Sequence, residues 1–301
     1  MAGINTNRTT ISLPAEVSRE ILQKTQEASA VMSLARQIPL PGRGAVIPVI
    51  TSDPTAAWVA ETDEKAVSNP GLSTKLMQAY QLAVIVPFSN QFRRDADALY
   101  NAIVERLPLA LAQKFDATVI GAVNAPGENF DTFANATAQA LVPGAGETVY
   151  GNLVAAYGDI AAQGGSMDGI AISPVGMSLL LGATGSDNRP IFNSAADAAI
   201  ARILGARTVE SRGMYKAGAA GVGTAAGTPA LVGVAGDWTQ AMWGTVGGVD
   251  ISISEESTLT IGTQQINLWQ RNMFAVRAEI EVGFRADTAC FNLLTGATPN
   301  A

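Results

Sequence analysis

The chain has 301 residues, of which 48% are hydrophobic and only 15% charged, with a net charge of −7 and no histidine. Without imidazole the commonest general base and metal ligand are gone, which excludes histidine-based triads. An acidic balance with no basic stripe likewise excludes a surface built to grip nucleic acid.

So low a charge density suits a subunit that covers much of its surface with partners. Cys290 is the single cysteine, so no disulfide can form within the chain and an intracellular origin is expected. The polar opening MAGINTNRTT is no signal peptide. The longest uncharged stretch, residues 217–236, holds six glycines and Pro229. It reads as a flexible loop leading into a strand rather than as a membrane span, which needs about 20 mostly apolar residues.

In chain order, residues 1–40 read as an arm with one amphipathic helix. Ser12-Leu13-Pro14 starts it, Val17, Ile21 and Leu22 share a face, and Pro39 and Pro41 end it. Residues 45–50 (AVIPVI) form a short strand, with Pro48 marking an edge or bulge. Residues 57–95 then form a long two-stranded arm that turns at Asn69-Pro70-Gly71. Trp58 and Val59 lie on its outgoing strand. Leu76, Tyr80, Leu82, Val84 and Val86 share one face of the returning strand, interrupted by Gln78. An isolated hairpin is marginal in water and an exposed edge invites pairing, so the arm is expected to lie on a neighbouring copy.

Ser89 caps a short turn and Asp95 a long helix. From Ala96 to about Val123, apolar residues Leu99, Tyr100, Ile103, Leu107, Leu111, Phe115, Val119 and Ile120 recur at helical spacing. At ~1.5 Å per residue this spine is about 40 Å long. Pro108 inside it is expected to kink it. The middle region alternates short helices and strands. A helix over 149–162 carries the stripe Leu153, Ala156, Tyr157 and Ile160. A strand over 169–172 runs into Pro174 and a helix over 175–181. A turn covers 186–190, and a helix over 195–204 stops at Gly205. Strands follow near 207–209 and 230–234 around a Gly/Ala loop over 213–229, then at 249–254. Finally, Phe274, Val276, Ala278, Ile280, Val282 and Phe284 alternate with Arg277, Glu279, Glu281 and Arg285. That is a half-buried strand of at least ten residues, expected to parallel the spine.

No chemistry is marked out. Gly221-Val222-Gly223-Thr224-Ala225-Ala226 mimics a dinucleotide fingerprint, but no strand leads into it and Pro229 blocks a following helix. Asn135-Ala136-Thr137 is a sequon without a secretory route, and Glu255-Glu256 reads as a solvated turn. No cofactor or metal is expected, and no carboxylate pair stands out as catalytic.

The order of arm, β-arm, spine helix, inserted α/β-like subdomain and closing strand resembles the major capsid protein of tailed bacteriophages. Supporting segments are Trp58-Val59-Ala60-Glu61, Val86-Pro87-Phe88-Ser89 with Arg94-Asp95, and Asp168-Gly169-Ile170-Ala171-Ile172-Ser173-Pro174. Others are Leu179-Leu180-Leu181-Gly182 with Arg189-Pro190, Gly236-Asp237-Trp238-Thr239-Gln240, Gly248-Val249-Asp250-Ile251 and Arg277-Ala278-Glu279-Ile280-Glu281-Val282-Gly283-Phe284. The resemblance spans about residues 45–295.

It implies an α+β shell subunit in four parts: an N-terminal arm (1–44), a peripheral domain (45–149), an axial domain (150–250) and a closing part (251–301). The peripheral domain would contain an extended loop (52–88) and the spine (about 96–123). The closing part would hold the long strand and the C-terminus. The resemblance further implies hexamers and pentamers in an icosahedral shell around double-stranded DNA, assembled in the host cytoplasm, without a membrane. A portal and a decoration protein are implied partners. Met1 stands about 45 residues ahead of the fold, so a separate scaffolding protein, or none, is expected to guide assembly. Trp58, Glu61, Lys65, Lys75, Tyr80, Arg93 and Arg94 are the candidate interface residues. Some relatives join subunits by an isopeptide bond. Here the matching residue types are Lys65 as nucleophile, Asn272 as acceptor and Glu279 as base, set against bland roles as loop residue, turn former and strand charge. The rival architecture is an encapsulin shell holding a cargo enzyme, although residues 1–30 show no encapsulin-like opening helix.

Overall fold

The computed structural model describes residues 23–26, 28–52, 56, 58–59, 64–65, 67–68, 71–90, 96–144, 146–185, 189–192, 202–221, 227–261 and 264–299. Side chains are described for all of these except 49–52, 72 and 96–105. The fold is of the expected mixed helix and strand class.

Helix α1 (Ala30–Leu34) is capped by Ser29, whose hydroxyl accepts the Met32 N–H. Its residues Ala30, Val31 and Met32 are buried in the chain's own core. Strand β1 (Arg36–Pro39) follows at once. Pro39 and Pro41 therefore do not end a helix. Ala35 is already extended at ψ 154°, and Pro39 closes a strand. Residues 30–40 thus belong to the folded body, whereas Val17, Ile21 and Leu22 lie outside the described residues.

Strands β2 (Ala45–Ser52) and β3 (Gly71–Met77) pair antiparallel as a separate two-stranded sheet. This is the arm, and its outgoing strand is the β-branched run AVIPVITS rather than Trp58 and Val59. Those two residues lie beyond it in an irregular segment. The expected turn residues Asn69 and Pro70 lie outside the described residues. Gln78 and Ala79 break the returning strand, and β4 (Tyr80–Ser89) then joins a different sheet. At the break the Gln78 carbonyl packs against Gly283, 2.6 Å from where a Cβ would stand, an approach that only glycine at 283 permits.

Helix α2 (Ala96–Val119) is the expected spine and is continuous across Pro108. It stops at Gly121, whose φ of 83° suits a residue without Cβ. The Ala122 N–H donates to the Ala117 carbonyl and the Gly121 N–H to the Thr118 carbonyl, which closes the helix end. Strand β5 (Thr137–Ala140) and helix α3 (Val149–Ala162) follow. Leu153, Ala156 and Ile160 of α3 are buried as expected, whereas Tyr157 faces outward. Strand β6 (Gly169–Ile172) leads through the cap Ser173 into helix α4 (Pro174–Leu181).

Strands β7 (Arg202–Ile203) and β8 (Ala206–Glu210) form a tight hairpin. Its two turn residues, Leu204 and Gly205, both have positive φ, 52° and 86°. That is the signature of a two-residue hairpin turn, so residues 202–204 do not finish a helix. Residues 195–201 lie outside the described residues. Strands β9 (Leu231–Gly236), β10 (Ala241–Thr245), β11 (Asp250–Ser254), β12 (Thr258–Ile261), β13 (Gln264–Asn267), β14 (Met273–Ala286) and β15 (Phe291–Thr295) complete the chain.

Two sheets organise these strands. In the first, β14 is central, flanked by β10 and β11 with β1 outside β10, and β4 also pairs with β14. The second runs β5-β15-β9-β6-β8-β7. Strand β10 thus shares a sheet with β14, and strand β15 shares the other sheet with β6 and β9.

The spine lies along β14. Leu107 and Leu111 pack with Phe274, Val276, Ala278 and Ile280, and Phe115 meets Phe284 edge-on at 6.2 Å. Helix and strand therefore run in the same direction. Between the sheets an aromatic cluster forms around Phe133, 4.4 Å from Phe291 by ring centroid and 5.7 Å from Phe284. Among the described residues no helix is long and apolar enough to cross a membrane.

Candidate assembly surfaces

Trp58 and Lys65, near the arm tip, are both exposed, Trp58 completely. Val59 and Val67 are exposed as well. An apolar set of this kind held in water is a candidate contact surface. Glu61, Arg93 and Arg94 lie outside the described residues.

At the arm root the candidates turn inward. Lys75 donates to the Ala286 carbonyl at 3.3 Å and lies 3.9 Å from the Asp131 carboxylate. Tyr80 packs edge-on against Phe130 at 6.2 Å, and its hydroxyl accepts the Asn129 N–H at 3.2 Å. Both side chains hold the subunit together. Arg285 completes this root. It donates to Asp131 at 2.7 Å, to Asn129 at 2.8 Å and to the Leu76 carbonyl at 2.8 Å.

Asn272 and Glu279 are not brought together. Asn272 sits in the turn before β14 with φ 55°, a left-handed conformation that asparagine tolerates. Its side-chain oxygen accepts from Asn90 at 2.8 Å. Glu279 stands mid-strand and pairs with Arg277 at 3.0 Å. A strand rise of ~3.3 Å per residue puts them about 23 Å apart. Within one subunit the expected acceptor and the expected base therefore occupy separate places.

The middle subdomain offers a second surface. Tyr150, Val154 and Tyr157 are spaced along one exposed face of α3. The polar Asp159 is withdrawn from this face, accepting from Gln139 and Asn292 at 2.9 and 3.0 Å. Val142, Val175 and Leu181 of the same region are exposed as well.

Sequence reasoning passed over Asp116. It is completely buried in α2 and accepts four hydrogen bonds. The hydroxyls of Ser29 and Ser211 donate at 2.6 and 2.5 Å, and the N–H groups of Ala30 and Val31 at 3.0 and 3.4 Å. Burial pushes its carboxyl up from 3.8 to about 6, while the serine hydroxyls and the two N–H groups pull the other way. A signal was present: Asp116 falls on the stripe of Ala112, Phe115, Val119 and Ile120, where a charge in an apolar row demands a partner. Among the described residues no cluster of three acidic or cysteine side chains could hold a metal.

Residues 10–289 match the model of the phage capsid family. The chain belongs to the phage capsid family. It is similar to the probable major capsid protein gp17 of Mycobacterium phage L5, at 28% identity over 91% of this chain and 86% of that one. A second relative of the same description, from Mycobacterium phage D29, is 25% identical over 92% of this chain and 87% of its own. A solved structure from Mycobacterium phage Adephagia superposes with a TM-score of 0.69 at 20% identity, covering 91% of this chain and 92% of that chain.

Proposed function

We propose that this protein is the major capsid protein of a tailed phage, assembling as hexamers and pentamers into an icosahedral shell around double-stranded DNA. The observation that carries the reading is the family match over residues 10–289, on a chain whose spine helix lies along one fourteen-residue strand. Shells are held by many modest contacts, each about 1,000 Å² or more, rather than one strong one. The arm, with Trp58 at its tip, lies over an adjacent subunit, and the face of Tyr150, Val154 and Tyr157 meets a neighbour within the capsomer. The net charge of −7 leaves DNA confined by enclosure rather than gripped.

Assembly takes place in the host cytoplasm with a portal and a decoration protein, and with a separate scaffolding protein or none. The protein is structural rather than enzymatic, and its shell is held without covalent links. Electron microscopy of the purified protein tests the central reading. Closed polyhedral particles are expected, and stable monomers under assembly conditions would overturn it.

A further inference from the structure

Asp116 joins three stretches distant in sequence: the spine helix, the cap of α1 through Ser29, Ala30 and Val31, and the 211–214 turn through Ser211. The contact is close as well as polar. A side chain on Gly213 would lie 2.6 Å from both the Asp116 Cβ and the Gln113 carbonyl, so the turn sits directly on the helix backbone. Gly213 also donates its N–H to Ser211 Oγ, and Met32 donates to Ser29 Oγ. Each serine is therefore held by its own backbone while it donates to the carboxylate.

We propose that Asp116 is a proton-tightened latch that fixes the segment 28–35 to the spine helix and to the 211–214 turn.

The ionisable groups on the elements packed here are Lys24, Arg36, Lys114, Arg207, Glu210 and Arg212. Arg36, Lys114, Arg207, Glu210 and Arg212 are exposed and Lys24 is partly buried. Among the described residues no cation pairs with Asp116. The carboxylate is therefore stabilised by neutral donors alone, against complete desolvation. Protonated, it donates to one serine oxygen and accepts from the remaining donors, which suits a buried site better. The docked carboxyl holds its proton with a pKa of about 6, against 3.8 in water. The docked state then binds more protons throughout that window, so docking tightens as pH falls through about 6 and loosens as pH rises through it. Between pH 7.5 and pH 5.0 the opening equilibrium of the segment shifts by up to about tenfold.

Hydrogen exchange with mass spectrometry on the full-length chain, corrected for intrinsic rates and held in one assembly state, tests this. Opening of amides 30–35 is expected to be up to about tenfold rarer at pH 5.0 than at pH 7.5. Amides of α3 serve as the internal reference. Asp116→Asn, which mimics the neutral carboxyl, should abolish that pH response. A pH-independent wild type, or a variant that keeps the response, overturns the latch. Should Asp116→Asn fail to fold, Ser211→Ala decides. It removes a donor to the charged form, so the midpoint must move to higher pH, and an unmoved midpoint overturns the proposal.

Discussion

Arg285 and Asp131 are 154 residues apart in sequence and 2.7 Å apart in space. The same guanidinium reaches the Asn129 side chain and the Leu76 carbonyl, so one side chain of the closing strand ties the arm root to the loop after the spine. The pair is mostly buried, at 11% and 21% side-chain exposure, so its loss strands a carboxylate in low dielectric.

Arg285→Lys keeps the charge but not the planar fork that serves three acceptors. It is expected to lower the unfolding free energy of the unassembled chain by about 2–3 kcal/mol. Urea denaturation measures this, and an unchanged midpoint with unchanged slope would show that the fork contributes nothing.

Phe133 packs on Phe291 at a 31° tilt and meets Phe284 and Trp238 edge-on, at the junction of the two sheets. Phe133→Ala opens a cavity that rigid aromatic neighbours cannot collapse into. A loss of about 3–5 kcal/mol is expected. Calorimetry should show a single lowered transition, because this cluster belongs to both sheets.

Val154 is exposed on α3 between Tyr150 and Tyr157. Val154→Asp places a charge on the face assigned to a neighbouring copy. The unassembled subunit should change by no more than about 0.5 kcal/mol, as for an ordinary surface substitution. Particle yield by sedimentation should collapse. Normal particles from this variant would remove the face from the list of contacts.

Assembled particles that are boiled and run on a denaturing gel should give a single band near 31.1 kDa, the chain mass. Asn272 is engaged with Asn90, and Glu279 stands about 23 Å away beside Arg277. A ladder of covalent oligomers would overturn the reading of a shell held without covalent links.

Much of this fold could be read from periodicity. Helix α3 and strand β6 were delimited to the residue, because Gly164-Gly165 and Pro174 punctuate them. The β14 alternation marks its buried face and a length of at least ten residues, and the strand runs to fourteen. Legibility failed where partners are distant. Whether Ala45–Ser52 or Trp58-Val59 pairs with Gly71–Met77 is a question of which strand is adjacent, and each has enough β-forming residues. Pro39 is ambiguous in sequence because a proline ends a helix and an edge strand equally well. The hairpin at Leu204-Gly205 was hidden by a leucine in a left-handed conformation that it seldom adopts. The candidate interface suffered similarly. Tyr80 alternates like a surface-strand residue, and only the fold shows its hydroxyl committed to Asn129.

Only Gln78 and Ala79 separate the arm strand β3 from β4. A pull on the arm along its length passes straight into β4, whose residues are registered against β14 from Ser89–Met273 to Tyr80–Val282. Tension along a strand axis strains those rungs together, in shear, instead of peeling them one after another. An arm gripped by a neighbour can thus be tugged hard while its own subunit holds, and slippage between copies comes before unravelling within one.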